Sequence, residues 1–240
     1  MNALAVQGLT IGRGEFSAGP FAFDLPEGVV LALVGANGSG KSTLLRTLAG
    51  LTPPRSGRIV RGEGAAALLP PPGTLTAPFT AEHMVTLGRA GHHRLRAVFT
   101  RNDRAAAMAA LESLGIADLA PRSFDRLSSG QQQLVLLARL IAQEASLCLL
   151  DEPTATLDPV QAAKVERCIT ALAQAGRTVV IATHSLGFAR TADQVLTLGA
   201  GFVFGPPEAV LTAERTAALY GAELPLCTAC GQPSAAITRA

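Results

Sequence analysis

The sequence is poor in several features that define large classes of protein. It has only four cysteines in 240 residues, too few and too scattered for a disulfide scaffold. Its formal net charge is +2 and its basic residues form no run, so we expect no nucleic-acid partner. No apolar segment approaches the roughly 20 residues that span a bilayer. The start also lacks the basic and apolar stretches of a signal peptide, so we expect a soluble, cytoplasmic chain.

Two small groups of residues could have suggested other classes. Five arginines lie close together, and we expect them to form a solvated helical face; they are Arg89, Arg94, Arg96, Arg101 and Arg104. Cys227 and Cys230 form a single C-x-x-C pair near the end of the chain. Without a second pair this motif does not establish a zinc site, and its role stays open.

Apolar, β-branched runs alternate with helical patterns, which predicts an α/β fold with a largely parallel sheet. Buried strands are predicted over 29–35, 146–153 and 177–184, and helices over 41–50 and from Asp158 towards Gly176. From 72 to 132 the segments are helical in pattern and show no convincing strand. We therefore predict one domain over 1–220 and a tail over 221–240. The domain would have an α/β core (1–71 and 133–220) with an N-terminal β portion and an inserted helical subdomain (72–132).

The stretch "GANGSGKST" (35–43) fits the pattern G-x-x-x-x-G-K-[ST] and lies between a predicted strand and a predicted helix. Its glycines let the backbone wrap closely around phosphate, so that successive N–H groups point inward. Lys41 is predicted to contact the β- and γ-phosphates, Ser42 to offer a hydroxyl to Mg²⁺, and Thr43 to bond the α-phosphate. The predicted nucleotide-binding residues of this P-loop are Gly35, Asn37, Gly38, Ser39, Gly40, Lys41, Ser42 and Thr43.

An acidic pair and a histidine end the two later strands. Buried carboxylates are costly unless they are paired or bound to a metal, so the pair in "LLDEP" needs a cation nearby. Asp151 is predicted to hold Mg²⁺ directly or through water, and Glu152 to polarise the water that attacks the γ-phosphate. His184 follows "VVIAT", and we expect it to reach the γ-phosphate or that water.

A second candidate phosphate site begins at "LSSGQ" (127–131). Small polar residues precede an apolar helical run there, and a helix start attracts anions through its unpaired N–H groups. The order of P-loop, L-S-x-G-Q, strand-D-E-P, "ATLD" and strand-His resembles the ATP-binding-cassette (ABC) ATPases over almost all of 1–220. The resemblance implies that "LSSGQ" is the family's signature motif, with Ser129 where glycine is commoner.

The resemblance also implies an assembly. Family members form head-to-tail dimers in which each ATP lies between one P-loop and the signature helix of the other copy. The signature contacts would then come from Ser128, Ser129, Gly130 and Gln131, and "ATLD" (155–158) would contact the partner subunit. A homodimer of this kind would dock on separate permease subunits at the cytoplasmic face of the membrane, together with a substrate-binding protein.

Two positions depart from the family pattern. The upstream aromatic residue that stacks on adenine aligns with Arg13, whose planar guanidinium could also stack, and Phe16 is the alternative. In "ALLPPPGTL" (67–75), Pro71 takes the place of a glutamine that touches Mg²⁺ and the attacking water.

The expected function is that of an ATP-hydrolysing subunit of an ABC transporter. The segments "FTAEHMVTLGR" (79–89) and "GPPEAVLTAERTAALY" (205–220) are most similar to the importer branch for iron chelates, cobalamin, zinc and manganese. That branch implies import of a metal or metal chelate. Two alternatives stay open: a soluble cassette ATPase without a role in transport, and a regulatory nucleotide-binding module with weak turnover because of Pro71.

Overall fold

A computed structural model describes residues 2–75, 77–93, 99–199 and 201–221 of the chain. Apart from Gly221, the predicted tail lies outside these residues, including Cys227 and Cys230. Arg94 and Arg96 of the arginine group also lie outside them.

Strands and helices alternate along most of the described chain. The strands are β1 (Asn2–Arg13), β2 (Phe16–Pro26), β3 (Val30–Val34), β4 (Ser56–Arg61), β5 (Ala66–Leu69), β6 (Leu147–Asp151), β7 (Thr178–Ala182), β8 (Gln194–Thr197) and β9 (Phe204–Gly205). The helices are α1 (Lys41–Leu48), α2 (Ala81–Thr86), α3 (Arg101–Ser113), α4 (Ser129–Ala142), α5 (Pro159–Gln174), α6 (Leu186–Ala189), α7 (Pro207–Val210) and α8 (Ala213–Tyr220). Short 3₁₀ helices cover Leu87–His92, Ala117–Leu119 and Phe124–Arg126.

The strands form two sheets, and the larger one confirms the predicted parallel core. Its order is β5-β6-β7-β3-β8-β9, and every pairing is parallel except that of β8 with β9. The smaller sheet, β2-β1-β4, is antiparallel and forms the N-terminal β portion. The three predicted buried strands occur as β3, β6 and β7, slightly shorter than predicted because the flanking residues already belong to loops.

The parallel sheet is buried on both faces, as the continuous apolar runs of its central strands predict. In β3, Leu31 and Leu33 pack with α1 towards the antiparallel sheet. Ala32 and Val34 face the opposite side, where they join the apolar core formed with α4 and α5. Alternating side chains of one strand therefore connect the two cores, and the P-loop follows directly from this strand.

The region between β5 and β6 is helical, as predicted. Thr80 caps α2, and Thr100 with Asp103 forms a capping box at the start of α3. The predicted boundary between 132 and 133 falls inside α4, which packs against α2, α3 and the sheet. The division into core and helical subdomain stays a prediction. None of the helices within the described ranges is both long and apolar enough to cross a membrane.

The expectation of a solvated arginine face is wrong for one member of the group. Arg101 and Arg104 are exposed on α3 as expected. The side chain of Arg89 is only 14 % exposed, because it forms ion pairs with Asp103 and Glu144. These partners are distant in sequence, so the local pattern of charges does not indicate them.

Candidate functional site

The P-loop connects β3 to α1, and its backbone conformation requires glycine at two positions. Gly38 and Gly40 have φ values of 78° and 100°, in the left-handed region that other residues rarely adopt. A Cβ atom on Gly40 would also lie 2.6 Å from Cζ of Phe16. Glycine at position 40 therefore allows the loop to lie against Phe16. The absence of side chains at both positions also lets the loop approach a ligand closely.

The first turn of α1 is open to an anion. Its N-cap residue, Gly40, has no side chain to accept a hydrogen bond from the N–H groups that follow. Lys41 is only 5 % exposed, and its Nζ donates to the carbonyl oxygens of Gly35 (2.8 Å) and Ala36 (3.1 Å). Burial lowers the pKa of Lys41, and the nearby carboxylates Glu152 and Asp151 partly oppose this effect. A buried ammonium and free N–H groups together form a strong phosphate site.

Asp151, the last residue of β6, has a buried carboxylate oxygen that lacks a protein partner. The residue is 3 % exposed, and Oδ1 makes no hydrogen bond within the described part of the chain. Burial is the largest cause that raises the pKa of Asp151, while Ser42 and Lys41 partly lower it. An unpaired, desolvated carboxylate oxygen beside a hydroxyl is a good ligand set for a hard divalent cation.

No group of three or more His, Cys, Asp or Glu side chains within the described ranges could hold a metal ion. A protein cage of carboxylates is therefore absent from that part of the chain. Mg²⁺ needs no such cage, since it commonly binds through one or two carboxylates together with substrate phosphates and water. Asp151 and Ser42 fit this mode of binding.

Glu152 and His184 are in contact. His184 Nε2 lies 2.8 Å from Oε1 of Glu152, and the histidine follows the carboxyl end of β7 beside the end of β6. The backbone of Glu152 has φ 50°, a left-handed conformation that is unfavourable for a residue with a side chain. Its N–H donates to the carbonyl oxygen of Ala182 at 3.1 Å, which helps to hold this conformation. The motif "DEP" indicates the residue types here but not the contact or the backbone geometry.

The P-loop and Glu152 line one cavity of about 340 Å³, whereas Asp151 and His184 are not among its lining residues. It is lined by Arg13, Phe16, Asn37, Gly38, Ser39, Gly40, Lys41, Ser42, Thr43 and Glu152. Arg13 and Phe16 both lie in the wall, so both sequence candidates for contact with the base are available. Of the remaining P-loop residues predicted to bind nucleotide, Gly35 contributes the carbonyl oxygen that accepts from Lys41.

The predicted signature residues do not line this cavity. Ser128 caps α4: its Oγ accepts from the N–H of Gln131 at 3.3 Å, and its own N–H donates to Oε1 of Gln131 at 3.1 Å. Ser128 and Ser129 are exposed to solvent. The predicted second phosphate-binding helix start is thus formed, and none of residues 128–131 lines the cavity beside the P-loop of the same chain.

The signature segment instead approaches the loop "ATLD". A Cβ atom on Gly130 would lie 3.3 Å from the carbonyl oxygen of Thr156 and from Cδ2 of Leu157. Asp158 ends this loop and caps α5, its Oδ1 accepting from the N–H groups of Val160 and Gln161, both at 2.9 Å. The small residue at position 130 therefore allows the start of α4 and the loop to pack directly.

Pro71 lies just after β5, where the chain turns. Pro72 and Gly73 occupy the turn, Gly73 has φ 78°, and Thr74 Oγ1 donates to the carbonyl oxygen of Pro71 at 2.9 Å. Proline followed by a left-handed glycine is typical of the two central positions of a type II turn. Pro71 itself has no side-chain amide and no N–H to offer a metal or a water molecule.

Comparison with known proteins extends these observations. The pattern of the ABC transporter family matches residues 19–155. The hemin import ATP-binding protein HmuV of Nocardia farcinica is 42% identical over 214 residues, covering 82% of this chain and 73% of HmuV. A solved metal-chelate type ABC transporter in an inward-facing conformation has a TM-score of 0.84 at 37% identity, covering 91% of this chain and 89% of that one.

A second solved structure is the dimeric ATP-binding cassette MJ0796 in a post-hydrolysis state, bound to ADP and Pi. It has a TM-score of 0.71 at 25% identity and covers 81% of this chain and 94% of that one. These similarities favour a transporter subunit over the soluble and regulatory alternatives. The chain belongs to the ABC transporter family, as an ATP-binding subunit that hydrolyses ATP to power transport.

Proposed function

We propose that this chain binds ATP with Mg²⁺ in the P-loop cavity and hydrolyses it between two copies arranged head to tail. The observation that carries this proposal is the separation of the two phosphate-binding helix starts. The start of α1 opens into the cavity, whereas the start of α4 is exposed and lines no part of it. Each chain then holds two halves of different sites, and a two-fold dimer completes both.

The P-loop half binds the triphosphate. Lys41 exchanges the carbonyl oxygens of Gly35 and Ala36 for the β- and γ-phosphate oxygens, which are stronger acceptors for an ammonium. The N–H groups of the loop and of the first turn of α1 surround the phosphates. The base lies towards Arg13 and Phe16 in the cavity wall.

The metal is held by Asp151 and the hydroxyl of Ser42. When bound, Mg²⁺ neutralises part of the charge on the phosphate oxygens. The protein supports it with the buried Oδ1 of Asp151, which otherwise has no partner within the described residues. Ionisation of Asp151, which burial disfavours, becomes favourable beside the cation.

Glu152 orients the attacking water and accepts its proton. The water lies between the carboxylate and the γ-phosphate, and its proton moves to a carboxylate oxygen of Glu152 as its oxygen bonds to the γ-phosphorus. The bond from the γ-phosphorus to the oxygen bridging to the β-phosphate breaks, and ADP leaves with that oxygen. His184 donates through Nε2 to Oε1 of Glu152 and so fixes the direction of the carboxylate. The second Glu152 oxygen is left to contact water.

The signature half completes the site from the other copy. The N–H groups at Ser129, Gly130 and Gln131 face the γ-phosphate of the partner's ATP, and the helix dipole of α4 favours the negative charge there. The dimeric cassette MJ0796 supports this arrangement. ATP contacts both halves only in the closed dimer and so binds that state more tightly than the separate chains; it therefore favours closure, and hydrolysis reverses this preference.

The transported substrate is a metal or a metal chelate. The names of the relatives support this: one imports hemin, and the similar structure belongs to a metal-chelate type transporter. The chain acts at the cytoplasmic face of the membrane, docked on separate permease subunits that receive substrate from a binding protein. We assign this docking to the segment 79–89, which contains α2 and the beginning of the 3₁₀ helix Leu87–His92.

Reconstitution tests the proposal. A tagged chain is purified from membranes of its source cells, the accompanying permease is identified, and the complex is placed in vesicles with Mg²⁺ and ATP. We expect ATP-dependent movement of hemin, a ferric chelate or Mn²⁺, and none with Lys41→Ala. Recovery of an active ATPase that accompanies no permease, and whose turnover no such substrate changes, would support the soluble alternative instead.

A further inference from the structure

The C-terminal end of α4 is held by side chains from two different segments, the 3₁₀ helix Leu87–His92 and the residue before β7. Arg89 Nη1 donates to the carbonyl oxygen of Ala142 at 2.9 Å, and Arg177 Nη1 donates to that of Ile141 at 3.2 Å. His92 Nε2 lies 3.0 Å from the carbonyl oxygen of Gln143. The last carbonyl groups of a helix have no partner within it and carry partial negative charge, so these contacts stabilise the helix end and fix its position.

Arg89 makes the most extensive of these contacts. Besides Ala142, its Nη1 lies 2.7 Å from Oε2 of Glu144, and its Nε lies 3.4 Å from Oδ1 of Asp103. One guanidinium therefore joins α3, the 3₁₀ helix Leu87–His92 and the end of α4. The planar group offers donors in fixed directions, so it orients these partners as well as attracting them.

Asp103 is itself firmly placed. Its Oδ2 accepts from the N–H and the Oγ1 of Thr100, both at 2.7 Å, and lies 2.9 Å from Nε2 of His93. The hydrogen bonds from Thr100 are the largest cause that holds the pKa of Asp103 well below its usual range. Asp103 is only 3 % exposed, so it presents Arg89 with a fixed negative charge away from solvent.

Two backbone features bring Arg89 and α4 together. A Cβ atom on Gly88 would lie 2.6 Å from the carbonyl oxygen of Arg139, so the backbone of the 3₁₀ helix directly contacts that of α4. Glu144 has φ 52°, the left-handed conformation common just after a helix end. The first feature places the 3₁₀ helix against the backbone of α4, and the second ends α4 where Glu144 meets Arg89.

The other end of α4 is the signature motif. The 14 residues from Ser129 to Ala142 span about 20 Å at roughly 1.5 Å per residue. A continuous helix transmits a shift at one end to the other, so the anchor at the C-terminal end of α4 contributes, with the packing along its side, to where its first N–H groups point. Arg89 is absent from the residues that line the P-loop cavity, and its direct contacts are to α3 and the end of α4.

We propose that Arg89 is a positioning residue for the ATP site in the partner copy. By anchoring the end of α4, it aims the signature start at the γ-phosphate bound by the other P-loop. This inference rests on the proposed head-to-tail dimer. It deepens that proposal, because it predicts that loss of Arg89 impairs the site in the partner and leaves nucleotide binding by its own P-loop unchanged.

The first measurement compares Arg89→Met, Arg89→Lys and a control. Arg190→Met is the control, because Arg190 also donates to a backbone carbonyl, that of Leu211 at 3.0 Å, but does so away from α4. We expect Arg89→Met to lower kcat/KM for ATP by about 10- to 100-fold, the scale of a misplacement near 1 Å. Binding of ATP to the separate chain stays unchanged. Arg89→Lys should retain more activity than Arg89→Met, because its ammonium keeps the positive charge but cannot make the three directed contacts of the guanidinium.

Mixed dimers carrying two different tags then separate the two chains. Wild type paired with Lys41→Ala has one competent site, built from the wild-type P-loop and the signature helix of the Lys41→Ala chain. Adding Arg89→Met to the Lys41→Ala chain should reproduce the full defect. Adding Arg89→Met to the wild-type chain instead should leave the activity unchanged, because that chain supplies only its P-loop to the competent site.

An equal loss of activity with Arg89→Met in either chain of the mixed dimer, or no loss with it in either chain, would overturn the inference.

If Arg89→Met does not fold, as judged by circular dichroism and thermal unfolding, Glu144→Gln replaces it in the same design. Glu144 is 51 % exposed, so this change removes the negative charge of one partner of Arg89 with little effect on the core. Failure of the dimer proposal itself is recognised separately: ATPase activity would not recover when Ser129→Arg and Lys41→Ala chains are mixed.

Discussion

The two phosphate-binding helix starts differ in what occupies their first N–H groups. At α1 the N-cap is Gly40, in a left-handed conformation and with no side chain to accept a hydrogen bond. At α4 the N-cap is Ser128, which forms a reciprocal capping box with Gln131. A helix start attracts anions through unpaired N–H groups, so the first start is ready for phosphate, whereas at the second the N–H of Gln131 is already paired with Ser128 of its own chain.

The two helix starts also differ in how far their residues are exposed to solvent. Lys41 and Asp151 near α1 are buried, whereas Ser128 and Ser129 at α4 are exposed. A buried, preformed start suits a ligand that one chain binds alone. An exposed, self-capped start suits a ligand that arrives with another chain and displaces Ser128 with a more strongly charged acceptor. Substitutions at each half test this distinction.

The largest effect is expected at the first start. Lys41→Ala removes the charge-assisted contact to the β- and γ-phosphates, so we expect loss of ATPase activity and of most nucleotide affinity. Lys164, the only other lysine of the sequence, is exposed on α5, and Lys164→Ala is the matched control. Turnover by phosphate release and binding of a fluorescent ATP analogue are the measurements. Activity like that of the wild type in Lys41→Ala would remove the P-loop from the reaction.

Glu152→Gln should separate binding from hydrolysis. The amide preserves the shape of the side chain but cannot accept the proton of water, so we expect turnover to fall by about 10²- to 10⁴-fold. ATP still binds and the second helix start is still engaged, so the closed dimer accumulates. Size-exclusion chromatography with Mg²⁺ and ATP should give a dimer peak that disappears with ADP. A monomer under every condition would count against the shared site.

Ser129→Arg tests the second start alone. The bulky side chain should block the γ-phosphate of the partner's ATP while leaving the P-loop of the same chain unchanged. Each of Ser129→Arg and Lys41→Ala should be inactive alone, and their mixture should recover one intact composite site per heterodimer. Ser128→Thr, which keeps the capping hydroxyl, is the control at this start. If heterodimers form but recover no activity, each chain contains its whole site.

The sequence alone predicts the half of the site that depends on local geometry. The glycines and Lys41 of the P-loop, the strand before it and the helix after it follow from residue order, and the structure has these elements at those positions. The buried position of Arg89 does not follow, because its acceptor on Ala142 is 53 residues away. The left-handed backbone of Glu152 is also hidden from the sequence, since it depends on the neighbouring strand through Ala182.

The smallest effect is expected at Pro71, which belongs to neither helix start and follows β5 on the connection to the helical region. Proline cannot ligate Mg²⁺ or orient water as the glutamine of the family pattern would. Water would take that ligand position on a bound Mg²⁺, which commonly keeps several water ligands. The turn that follows is fixed by Gly73 and by the bond from Thr74 Oγ1 to the carbonyl oxygen of Pro71, and a glutamine at position 71 retains that carbonyl.

We therefore expect Pro71→Gln to raise ATPase activity and to lower the Mg²⁺ concentration at half-maximal turnover, with little change in ATP affinity. Supporting contacts of this kind change metal affinity or activity by about 10- to 100-fold, and the gain should lie at the lower end because the turn at Gly73 is retained. Pro70→Gln is the matched control for loosening the proline run. The measurement is a Mg²⁺ titration of turnover in the three proteins. If Pro71→Gln is no faster than the control and its Mg²⁺ midpoint is unmoved, Pro71 does not stand in the glutamine's place.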